Sequence, residues 1–269
     1  MTRGMGAAAL GAQDLALAAL LVFVAGAVSL ALRLKLENKI AVASARTVIQ
    51  LLVVGHLLEW VFRIDRGYVV VAVMLFMVAV ASSAAVRRSD RTYSGATLHA
   101  FLTLVLTASL TTFTVTHAII GVSPWYRPQY VIPLLGMILG NSLTGISLCQ
   151  DSLLEALAER TDRIEAELAL GATRWEAVRD PLREAVRRGM IPIINAMSVV
   201  GLVSLPGMMT GQILEGASPV GAVKYQIIVM FMLAAATSLG CIVTAILTYQ
   251  RLFSRRHQLL GDTISARQR

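Results

Sequence analysis

Residues 165–181 read EAELALGATRWEAVRDP, a charged stretch between apolar runs, and its local signals specify helices broken by a tight turn. Upstream, Leu153, Leu157, Ile164 and Leu168 recur at helical spacing, so the helix carrying them is amphipathic. Gly171 ends that periodicity, as expected of a glycine in the left-handed C′ position. Thr173 followed three residues later by Glu176 is a capping box that starts a new helix. Asp180-Pro181 has the form of an N-cap with proline at N1, which predicts a short second helix and a third one beginning there. The expected product is a rigid knuckle with Trp175 near its tip.

The surroundings of that knuckle set the fold class. The chain has 269 residues, 56% of them hydrophobic and 15% charged, and a mean hydropathy of +0.69. These values exclude an ordinary soluble domain. Apolar runs long enough to cross about 30 Å of hydrocarbon occupy 15–34, 40–62, 67–86, 96–121, 129–149, 189–210 and 222–250. They are continuous rather than alternating, which selects helices over a barrel. The expectation is therefore an all-α integral membrane protein with about seven spans. Residues 1–250 form one permease-like domain with a cytoplasmic segment at 150–188 between spans five and six, and 251–269 form a basic cytoplasmic tail.

Orientation follows from the basic residues. Eighteen of the 24 Lys and Arg, among them Arg33, Arg87, Arg88, Arg160, Arg174, Arg188 and Arg251, fall in loops after odd-numbered spans or in the tail. Five lie on the other side (Arg3, Arg63, Arg66, Arg127 and Lys224), and Arg46 is within a span. That asymmetry puts the N-terminus outside and the knuckle and C-terminus in the cytoplasm of an inner (plasma) membrane protein. It also accounts for the net charge of +8 without nucleic acid, since anionic headgroups face the basic side. The first run is long for a signal peptide and carries its charge after it, so it reads as a retained span. Cys149 and Cys241 lie in or at the end of spans and read as free thiols.

No GxxxxGK[ST] segment occurs, and the four His (His56, His99, His117 and His257) are scattered, so neither nucleotide hydrolysis nor other catalysis is expected of this chain. Glu165-Ala166 with Gly171 six residues after the Glu resembles the cytoplasmic coupling loop of ABC-transporter permeases. It departs from the common importer form at Glu167, where that form has Ala, and in lacking a terminal Leu-Pro pair. More specific are RTVIQLLVVGHLLEW at 46–60, GMILGNSLTGISL at 136–148 and IPIINAMSVVGLVSLPGMMTGQILEG at 191–216. Together these resemble the FetB-type permeases, a family of iron-export subunits related to plant aluminium-tolerance permeases, over about residues 38–250.

The resemblance implies a permease that docks an ATPase through Glu165, Glu167, Gly171, Ala172, Thr173, Arg174 and Trp175. It also implies ATP and Mg on that partner, Fe(II) or another metal ion as substrate, and export. One coupling segment per chain then calls for a homodimer with two ATPase copies. The alternatives are an ABC permease for a different small solute and, as the competing class, an ATPase-independent carrier or scaffold. The latter is distinguished by activity in liposomes that contain no ATPase.

Polar groups inside spans are costly and mark candidate pathway residues. These are Arg46, Gln50, His56, Glu59, Asn141, Asn195, Met208, Met209 and Gln212. Glu59 and His56, at i and i+3 on one face, offer a carboxylate and an imidazole to a divalent cation. The alternative is that Glu59 pairs with Arg63, Arg46 snorkels and His56 is a packing residue. Gly136 and Gly140 have the spacing of a helix-packing pair, and Pro206-Gly207 is expected to kink or end the sixth span.

Overall fold

In lipid a chain must satisfy its own backbone, and the apolar runs do so as helices. The computed structural model describes residues 11–254 and 258–266. Expectations for Arg3, Arg255, Arg256, His257, Arg267 and Arg269 lie outside these. Six helices among the described residues have the length and composition to cross a bilayer: α1 (Ala12–Ala31), α2 (Glu37–Ile64), α3 (Gly67–Arg88), α4 (Ala96–Phe113), α5 (Pro128–Glu159) and α9 (Pro219–Leu252). A π-helical stretch, Thr114–Ile119, prolongs α4. The shorter elements are α6 (Thr161–Ala169), α7 (Arg174–Val199), α8 (Gly207–Leu214), and two three-residue strands, β1 (Arg91–Tyr93) and β2 (Ile264–Ala266).

Three expectations are corrected. The run 189–210 is not one helix: α7 stops at Val199, Gly201 is left-handed at φ 82°, and α8 begins only after Pro206. Three successive amides, of Leu202, Val203 and Ser204, converge on the Val199 carbonyl. Pro206 disfavours helical geometry at Leu205 before it, so the proline starts α8 rather than ending a span. Second, no helix starts at Asp180-Pro181; Pro181 lies inside α7. Proline there forfeits one backbone bond, but Ala177, Val178, Pro181 and Leu182 are all buried, and that packing carries the helix through. Third, the amphipathic stretch upstream belongs to two helices. Leu153 and Leu157 are on the cytoplasmic extension of α5, and Ile164 and Leu168 are on α6.

α5 is the axis of the bundle, packed against α7, α9, α3 and α4, and α4 also packs directly against α9. Leu104, Leu134, Leu135, Ile138, Ile146 and Ala236 form its dry centre. Where α5, α7 and α9 cross, backbones meet directly. A Cβ on Gly145 would stand 2.9 Å from the Gly189 carbonyl oxygen, and one on Gly189 would stand 2.7 Å from that of Gly145. The expected packing pair does not play this part, since Gly140 faces open space. A second core lies at the end of the bundle carrying α6. Leu153, Leu154, Leu157, Ile164, Val178 and Leu252 are buried there.

α1 and α2 form a hairpin that stands largely apart from this bundle, held at its turn by Ser29 Oγ, which donates to Glu37 Oε2 at 3.0 Å. It meets the rest of the chain near its far end, where Val61 packs with Val70, Val131 and Ile132.

Candidate functional site

The knuckle is built from the backbone outward. α6 ends in a Schellman motif: the Gly171 amide donates to the Leu168 carbonyl at 3.1 Å, and that of Ala172 to Glu167 at 3.1 Å. Gly171 sits at φ +94°, as its C′ position requires. α7 then starts from a complete capping box. The Thr173 amide donates to Glu176 Oε2 at 2.8 Å, and the Glu176 amide donates to Thr173 Oγ1 at 3.3 Å. The donated backbone hydrogen bond, reinforced by the Thr173 hydroxyl at 2.7 Å, holds the Glu176 carboxyl below its ordinary range.

Behind the turn, the knuckle is tied to its supports. Arg160 bonds Glu184 at 3.2 Å, and Arg188 bonds Glu184 at 3.0 Å and Glu155 at 3.6 Å, so α5, the α5–α6 junction and α7 share one network. The Arg174 guanidinium lies 5.6 Å from the Tyr249 ring centroid, and Trp175 meets the same ring edge-on at 5.7 Å. Tyr249 also packs against Phe253, which connects the knuckle to the end of α9.

In front, the tip is bare. Leu170 is 89% exposed and Trp175 half exposed, with Gly171 between them. Glu165 is exposed, while Glu167 pairs with Arg163 at 3.0 Å. Exposed apolar groups on a rigid frame, ringed by charge, are suited to docking a protein. Sequence reasoning overlooked Leu170. Its signal was an apolar side chain off the buried stripe of α6, one residue before the capping glycine. Tyr249 was missed because its partners are distant in the chain.

The same face carries the described part of the tail. β2 pairs antiparallel with β1, with Tyr93 opposite Ile264. Tyr93 is buried, which raises its phenol pKa, and its hydroxyl lies 3.2 Å from Thr248 Oγ1 and 2.9 Å from His99 Nδ1.

The intramembrane candidates occupy several faces. Arg46, Gln50, His56 and Glu59 are exposed on α2. Glu59 bonds Arg63 at 3.1 Å, and His56 Nδ1 is 2.8 Å from the Leu52 carbonyl. No cluster of three or more His, Cys, Asp or Glu occurs among the described residues. Asn141 donates to the Met137 carbonyl at 2.9 Å, and Asn195 is exposed on α7. Met208 and Gln212 are half-buried and Met209 buried on α8. Met209 lines an apolar cavity of about 310 Å³ with Met197, Met230, Gly201, Phe231 and Gln226, beside the break between α7 and α8. Polar atoms are buried in the bundle without protein partners among the described residues, including Ser142 Oγ and, not singled out by sequence reasoning, Gln150 Nε2, Gln226 Oε1 and the hydroxyls of Thr237 and Thr244. Thr103, Thr107 and Thr111, spaced at i, i+4 and i+8, form a buried stripe on α4 that the spacing would have revealed; Thr107 and Thr111 donate to the carbonyls of Thr103 and Thr107, and Thr103 Oγ1 is left without a partner among the described residues.

Comparison with known proteins covers nearly the whole chain. The model of the "Uncharacterised protein family (UPF0014)" matches residues 12–253. A UPF0014 membrane protein of Synechocystis is 39% identical over 84% of this chain and 88% of its own length. The "Probable iron export permease protein FetB" of Escherichia coli is 37% identical over 92% of this chain and 94% of its own. The "Protein ALUMINUM SENSITIVE 3" of Arabidopsis thaliana is 32% identical over 93% and 90%. No solved structure matches.

Proposed function

The chain belongs to the UPF0014 family of multi-pass membrane proteins, and from that premise we propose that it is the permease subunit of an ATP-driven exporter of iron or another metal ion. ATP and Mg bind a separate ATPase, two copies of which engage a homodimer of this chain. The basic residues orient the assembly with α6, the knuckle and the C-terminus in the cytoplasm and the N-terminus outside.

The knuckle is the observation that carries this reading. A short helix presented on a Schellman turn, capped on its far side and clamped to α5, α7 and α9, transmits displacement instead of absorbing it. α7 continues from the knuckle without interruption to Val199, beside the broken segment and α8. A push at Trp175 therefore reaches the Met-lined end of the bundle through one helix. Among the described residues no cluster of three or more His, Cys, Asp or Glu is preformed for the cargo.

The test is co-expression with the ATPase. In Gly171→Val, a β-branched side chain at φ +94° strains the turn by about 1 kcal/mol or more. This variant and Trp175→Ala are expected to insert normally, lose ATPase stimulation and leave cellular metal content unreduced. Normal stimulation and transport in both would refute the coupling role. Full transport in liposomes without any ATPase would favour the carrier class.

A further inference from the structure

Between α2 and α3 lies an open groove of about 590 Å³, lined by Arg46 from α2 and by Phe76, Val80, Ser83, Arg87 and Arg88 from α3. Arg87 and Arg88 stand on the last turn of α3, where a charge bias alone would put them. Arg46 is different. It lies about 13 Å along α2 from the helix start, inside the apolar run, and yet faces the same groove. No carboxylate forms a salt bridge with any of the three among the described residues; the one side-chain bond is Arg88 to Thr144 Oγ1 at 3.3 Å. Three arginines therefore line one groove with no salt-bridge partner among the described residues.

We infer that this groove is a binding site for an anionic phospholipid, its phosphate held by Arg46, Arg87 and Arg88. Guanidinium forks suit phosphate oxygens, and the long stem of Arg46 lets its head reach back to the interfacial level. What selects a lipid over a soluble anion is the wall below the charges. Phe76 is 64% exposed and Val80 53% exposed, and they continue the groove some three turns deeper along α3, where an acyl chain would lie. The leaflet is the cytoplasmic one, a point that rests on the orientation proposed above. The lipid would fill the gap that leaves the α1–α2 hairpin apart from the bundle.

The experiment uses the full chain purified in a neutral detergent and titrated with phosphatidylglycerol, phosphatidylcholine or soluble glycerol phosphate, following the thermal midpoint and the lipid retained by mass spectrometry. Phosphatidylglycerol is expected to bind saturably and raise the midpoint. Each of Arg46→Gln and Arg87→Gln is expected to weaken it about five-fold, Arg63→Gln at the other end of α2 to leave it unchanged, and Ser83→Trp, which fills the groove without altering charge, to abolish it. Undiminished binding in Arg46→Gln and Arg87→Gln would overturn the site. So would equal protection by glycerol phosphate, which would mean a soluble-anion site, or disulfide formation between two copies carrying Ser83→Cys, which would mean that a second chain occupies the groove. Micelles have no sides, so an error in orientation would not affect the outcome.

Discussion

Gly189 and Gly145 bring two helix backbones into contact, and the third helix closes over them through Cys241 and Thr237. A Cβ on Gly189 would meet the Cys241 sulfur at 2.7 Å and Cys149 Cβ at 2.9 Å, with α5 and α9 both too well packed to withdraw. Gly189→Ala is therefore expected to cost about 1–3 kcal/mol, read as a lowered thermal midpoint. Gly140→Ala, with nothing within 4 Å of the added methyl, serves as the control and is expected to stay within about 0.5 kcal/mol of wild type. Equal midpoints for the two variants would contradict the crossing described here. This contact was not legible in the sequence. The Gly136/Gly140 spacing resembles a packing motif, but spacing only fixes which face a residue shares. It does not say which face meets a neighbour, and Gly189, the first residue of the run 189–210, follows Arg187-Arg188 with nothing local to mark it as a packing residue.

At the scale of the element, the knuckle was legible because caps are local chemistry. Gly171, Thr173 and Glu176 act through bonds to residues two to four positions away, and the structure shows each of them as the spacing demands. Pro181 was misread for the complementary reason. Asp-Pro favours a helix start when nothing else intervenes, but here the buried face of α7 against α5 and α9 decides, and burial depends on residues far away in the chain. Thr173→Ala is expected to cost about 1 kcal/mol of local stability. The Glu176 share is pH-dependent in a fixed direction. Its carboxyl is held below the ordinary Glu range by the hydrogen bond from the Thr173 amide, so it stabilises the helix start above the unfolded-state pKa, and that stabilisation disappears as pH falls through the lowered, folded-state value. Hydrogen exchange at Thr173–Ala177 should show greater protection in wild type than in Glu176→Gln at neutral pH and no difference well below the Glu range. A difference that persists in acid would show that the carboxylate is not the group responsible.

For the molecule as a whole, the question is what surrounds α2. The sequence showed the helix, its polar residues and even the Glu59–Arg63 pairing as an alternative, because i, i+4 neighbours are determined by the helix itself. Which protein surface those residues face depends on chain–chain packing, which a single sequence does not encode locally. Along most of its length α2 is uncovered by its own chain, and the exposed Glu59–Arg63 pair contributes little by itself. Hydrocarbon is a poor environment for Gln50 and His56, and a second copy is a better one. In the homodimer proposed above, Glu59, about 140° around the helix from Arg46, would then lie with His56 near the symmetry axis and line the path with Asn141 and Asn195 supplied from the bundle. Single cysteines at Gln50, Glu59, Asn141 and Asn195 are expected to react with water-soluble thiol reagents, with reactivities that change between ATP-bound and nucleotide-free states of the complex. Those at position 59 should also cross-link two chains. Glu59→Gln should reduce metal export if the carboxylate neutralises the ion in transit, and leave it intact if its only partner is Arg63. Four unreactive probes in both nucleotide states, with no cross-link, would place these residues in packing contacts and remove them from the pathway.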